Sequence, residues 1–188
     1  MIPKFRFHIL GWITLLIFPI PAFWALNYFE NLSILEVLSL DDLLKPINLI
    51  GLQFGVFYAL IVVAVSQFSL FQEMSIQQER LLKSLNLNWF DIIFMSLCAG
   101  IGEEILFRAG IQTWLGPWWT SIIFIALHGY IHPLSWRKSI YGLILLPFIL
   151  LIAFAYETYG LWFCVAAHFS YDLLLFSLIL NKKKLESS

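Results

Sequence analysis

Six side chains with acid–base chemistry stand inside stretches that otherwise read as apolar: Glu103, Glu104, Arg108, His128, His168 and Asp172. A charge near a bilayer centre costs at least about 2.5–3.5 kcal/mol, so such residues face a protein interior and mark a site by default. Their spacing sorts them. Successive helical residues turn by about 100°. Arg108 is four residues after Glu104 and shares its face, which suits an i,i+4 ion pair. Glu103 is turned away from Arg108 and keeps no partner on its own helix. A carboxylate left alone in a low-dielectric bundle suits a general base working near neutral pH. His168 and Asp172 are also i,i+4 and face one cavity, as do Phe124 and His128. Phe124 reads as packing and His132 as a rim residue. His8 has no assigned role.

These residues need apolar elements to hold them, and the composition supplies little else. Of 188 residues, 61% are apolar and 12% charged, against roughly 25% charged in a soluble domain. A water-soluble globule of this size has too little interior for that apolar content. Mean hydropathy is +0.85. The expected fold class is all-α: a polytopic transmembrane helical bundle of about six spans, forming one membrane-embedded domain over 1–188. N-terminal helices are expected near 8–27 and 47–71, with Pro19 and Pro21 kinking or shortening the first. A four-helix catalytic core is expected over about 90–180. Its spans lie near 92–115, 118–132, 139–156 and 161–180, with a break at Gly116-Pro117.

Charge in the loops sets a direction. Lys4 and Arg6, then Arg80 and Lys83, then Arg137 and Lys138, then Lys182, Lys183 and Lys184 fall on one side. The intervening loops carry Lys45 alone among several acids, or no base. The positive-inside rule then places both termini in the cytoplasm. The first helix reads as a retained anchor, because no small-residue cleavage site follows it. Depths agree as well. Counting 1.5 Å per residue, Glu103 lies roughly 20 Å from the cytoplasmic start of its helix, with His128 and His168 roughly 16 Å and 12 Å in from the outer side. All three fall near the midplane. Trp114, Trp118, Trp119 and Trp136 read as an interfacial belt. Cys98 and Cys164 read as small buried hydrophobes. Nothing is basic enough for nucleic acid.

Glu103-Glu104-x-x-x-Arg108, Phe124-x-x-x-His128 and His168-x-x-x-Asp172, in that order, resemble the three-motif signature of the CAAX-protease and bacteriocin-processing intramembrane endopeptidases. The resemblance covers about residues 90–176. It implies hydrolysis of a peptide bond in or near the membrane. By that resemblance Glu103 activates the water, His128 holds it, Glu104 with Arg108 is structural support, and His168 with Asp172 stabilises the oxyanion. Well-studied relatives often carry Asn at the position of Asp172. An ionised Asp cannot donate a hydrogen bond, so Asp172 is either protonated or orients His168. No cofactor is favoured, but Glu103, His128 and His168 also compose a two-His, one-carboxylate zinc set with an open position for water. A second class of reading is a non-catalytic immunity or transport protein. The expected partners are membrane lipid and a peptide or protein substrate. The expected location is a prokaryotic plasma membrane, since the small size and short termini suggest a prokaryotic protein.

Overall fold

The computed structural model describes residues 4–131, 133 and 136–186, and every regular element among them is helical. In chain order these are α1 (Lys4–Leu16), α2 (Pro19–Glu30), the short α3 (Ile34–Leu38), α4 (Ile47–Ser66) and α5 (Ser69–Ser84). There follow α6 (Trp89–Glu104), a π-helical segment (Ile105–Ile111), α7 (Gln112–Leu127), α8 (Trp136–Tyr159) and α9 (Leu161–Glu186). Four stretches are long and apolar enough to cross a membrane: Lys4–Glu30, Ile47–Ser66, Trp136–Tyr159 and Leu161–Leu178. The continuous helical run from α6 to α7 carries the charged residues.

Several boundaries differ from the sequence expectation, each for a local reason. The helix expected near 8–27 is two helices, because Pro19 and Pro21 open α2 in its first turn, where a missing N–H costs least. The helix expected to reach residue 71 stops at Ser66, and α5 starts after an extended Phe68. The chain does bend at Gly116, whose φ of 68° and ψ of 173° fall in a region essentially reserved for glycine. The span expected to run to His132 ends at Leu127, and His128 caps it. Gly129, at φ 75°, turns the chain out of the helix. His132 lies outside the described residues.

α9 packs against α4, α6 and α8. Between membrane helices, association rests on close packing and interhelical hydrogen bonds. Gly51 and Gly55 of α4 form a Gly-x-x-x-Gly stripe against α9. A Cβ on Gly55 would strike the Ala167 carbonyl and the Ser170 hydroxyl. That hydroxyl donates to the Leu52 carbonyl at 2.8 Å. Gly55→Val is therefore expected to separate α4 from α9 and cost about 1–3 kcal/mol, read as a lower melting midpoint in detergent.

On α8, Pro147 removes one helix N–H, and Tyr58 donates its hydroxyl to the Ile144 carbonyl nearby at 2.7 Å. The α1–α6 contact is pinned by Asp91, which pairs with Lys4 at 2.6 Å and His8 at 2.8 Å. His8 thus has a structural partner on a helix far away in sequence. In the loop before α4, Ser33 and Glu36 cap α3 reciprocally. The Ser33 amide and hydroxyl hold the Glu36 carboxyl below its usual range. Trp162 anchors the same loop by donating to the Leu38 carbonyl at 2.7 Å. Trp24, Trp114, Trp118, Trp119 and Trp136 are exposed on the bundle's outer surface, as side chains of an interfacial belt are. Cys98 and Cys164 are buried, free thiols.

Candidate active site

Glu103 and Glu104 end α6, and the π-helical segment that follows holds Arg108. Such wide turns occur mostly as short insertions at functional sites. Glu104 and Arg108 are fully buried, and Arg108 Nε donates to Glu104 Oε2 at 2.9 Å. The other Glu104 oxygen accepts from His168 Nδ1 on α9 at 2.7 Å. Glu104 is therefore shared between a cation on its own run of helix and an imidazole from across the bundle. The spacing argument finds the first bond and misses the second, because the second joins residues 64 apart in the chain.

His168 is gripped at Nδ1, so its Nε2 faces the cavity side. Asp172 Oδ2 lies 3.6 Å from Nε2. That distance is too long for a hydrogen bond but short enough for strong charge attraction. His128 is held differently. Its Nδ1 lies 2.8 Å from the Phe124 carbonyl. A carbonyl only accepts, so Nδ1 carries the hydrogen. The neutral ring then points the lone pair of Nε2 at Glu103, whose Oε2 is 3.3 Å away. Glu103 Oε2 is buried and accepts no hydrogen bond in this geometry.

Phe124 does more than fill space. Its ring stacks on His128 at 4.2 Å and meets Phe107 edge-on at 4.8 Å. The Arg108 guanidinium lies 5.8 Å from its centroid. This one ring fixes the His128 plane against the buried ion pair.

Glu103, His128, His168 and Asp172 line one cavity of about 340 Å³, together with Phe124. Its remaining wall is apolar and aromatic, including Tyr141, Leu145, Phe148 and Tyr171. The structure thus brings together the four residues proposed for chemistry and sets Glu104 and Arg108 directly behind them. Among the described residues, no group of three or more His, Cys, Asp or Glu side chains is placed to hold a metal ion. The zinc set of Glu103, His128 and His168 does not fit this arrangement, and His168 Nδ1 is already committed to Glu104.

A helical bundle with buried charges lining an internal cavity defines an integral membrane protein with a hydrolytic type of site. The comparisons give it a family. Residues 85–174 match the type II CAAX prenyl endopeptidase Rce1-like family. Through this domain the chain belongs to the CAAX-protease and bacteriocin-processing proteins, a family of proteases. It is also 51% identical over 37 residues to the uncharacterized protein YpbD of Bacillus subtilis (strain 168). That match spans 20% of this chain and 20% of the relative. No solved structure matches the chain.

Proposed function

We infer that the chain is an intramembrane endopeptidase that hydrolyses a peptide bond with a water activated by Glu103. The observation that carries this reading is the pairing of Glu103 Oε2, which accepts no hydrogen bond, with the lone-pair nitrogen of His128, on the wall of a cavity that also presents His168. A water between them donates one hydrogen to Glu103 Oε2 and the other to His128 Nε2. Its oxygen lone pair is then free to attack a carbonyl carbon. Glu103 takes the proton as the C–O bond forms, and passes it to the amine as the C–N bond breaks. His168 faces the developing oxyanion with Nε2–H, because Glu104 holds Nδ1 and Asp172 favours the imidazolium by its charge. No step runs through a metal. The family resemblance agrees with each of these roles.

The substrate class follows from the setting: a peptide or protein segment reached from the membrane. By the loop charges we place both termini in the cytoplasm of a prokaryotic plasma membrane. The test uses the full chain in lipid vesicles, internally quenched peptides with apolar segments, and H₂¹⁸O. Cleavage of an internal bond, with label in the new carboxyl group and no loss of rate under chelator, is the expected result. Loss of cleavage on chelation, restored by zinc, overturns the water-and-glutamate reading in favour of the metal one.

Asp172 separates two forms of this mechanism. If its charge holds the proton on His168 Nε2, Asp172→Asn lowers kcat by roughly 10-fold or more with KM little changed. A removed donor to an oxyanion costs about 10²–10³, and a weakened one costs less. If a protonated Asp172 itself donates, the Asn amide replaces it and the rate holds. Steady-state kinetics on any cleaved peptide distinguish them.

A further inference from the structure

Behind the cavity, a line of buried hydrogen bonds continues past Arg108. Arg108 Nη1 donates to Gln112 Oε1 at 3.3 Å. Gln112 Nε2 donates in turn to the Ala153 carbonyl of α8 at 2.8 Å. Gln112 is 5% exposed, and Arg108 and Glu104 are fully buried. The line therefore runs from the α8 backbone through Gln112, Arg108 and Glu104 to His168 Nδ1.

Its middle member has an alternative. A guanidinium matches a carboxylate best when it takes both oxygens at once. Here Arg108 takes only Glu104 Oε2, while Oε1 serves His168. Arg108 Nη2 is buried with no hydrogen-bond partner, so an N–H is at hand for the second oxygen. What prevents that grip is the hold of Gln112 on Nη1, itself fixed to a helix backbone. If Arg108 turned to take both oxygens, His168 would lose the acceptor that orients it.

We propose that Gln112 is a positioning residue for His168: it fixes Arg108 in a one-oxygen grip on Glu104 and so keeps the second oxygen for the imidazole. The reaction role rests on the endopeptidase reading; the orienting role does not. Gln112 touches no reacting atom. Its site on α7, just past the π-helical segment, faces away from the cavity it governs.

The test has two readouts on the full chain. In Gln112→Leu, kcat on a cleaved peptide is expected to fall roughly 10- to 100-fold, the range for a buried group losing its partner. KM should stay within about twofold, since the cavity wall is untouched. Independently of activity, the ¹⁵N resonance of His168 Nδ1 should move away from its carboxylate-bound position. The chain holds 4 His, and His168→Asn assigns the signal. Gln112→Glu keeps an oxygen on Arg108 and should restore most of both readouts; it also serves if the Leu variant does not fold. A Gln112→Leu protein with wild-type kcat and an unmoved resonance overturns the proposal. So does a loss of kcat with the resonance unmoved, or a Gln112→Glu protein as impaired as the Leu variant. If the wild type cleaves nothing while the resonance moves as described, the endopeptidase reading fails and the orienting role stands.

Discussion

Glu103→Gln is expected to reduce peptide cleavage by roughly 10²–10⁴-fold, the usual contribution of a positioned general base. The amide has nearly the same shape, and its oxygen still accepts a hydrogen bond, but it takes no proton from water. Stability should hardly change. The ion pair lost with His128 involves a side chain 36% exposed, and such pairs contribute about 0–1 kcal/mol. Paired measurements of turnover and detergent melting check this. Near-normal turnover in a folded Glu103→Gln protein removes Glu103 as the base. A biological phenotype that survives the substitution points instead to an immunity or transport protein.

Glu104→Ala should behave in the opposite way for stability. It strands Arg108 without its carboxylate in a fully buried position and frees His168 Nδ1 at the same stroke. Breaking one half of a buried pair costs about 3–5 kcal/mol. For a chain of this length that corresponds to a melting midpoint lower by roughly 10 °C. Activity should fall as well, since His168 loses its orientation. If the Glu104→Ala and Glu103→Gln proteins melt in the reverse order, the two glutamates have exchanged roles.

The two glutamates show how far the sequence carried. The Glu104–Arg108 pair was legible because both partners lie within one helical turn, where periodicity alone sets the geometry. The gathering of Glu103, His128, His168 and Asp172 at one cavity was legible from the cost of charges in apolar spans. The Glu104–His168 bond was not, since it depends on how α6 and α9 face each other. Nor was the Gln112 link, which joins α7 to a backbone carbonyl of α8. Glutamine in an apolar run carries no signal beyond its polarity. The π-helical segment was also hidden: Ile105 to Ile111 has no residue that marks a wide turn. The end of α7 before His128 was half visible, in Gly129, and the apolar run beyond it masked the stop.

The fully buried Glu104–Arg108–His168 arrangement has a consequence for how the chain is made. The run of helix bearing Glu103, Glu104 and Arg108 is not among the four stretches apolar enough to cross unaided. Its third partner, His168, is synthesised 64 residues after Glu104. At about 5–20 residues per second, that is several seconds of translation. During this interval the nascent polar hairpin has no α9 to lean on, and it must wait at the translocon or be held by an insertase. A chain terminated before Leu161 would leave it permanently in that exposed state, a ready substrate for membrane quality-control degradation.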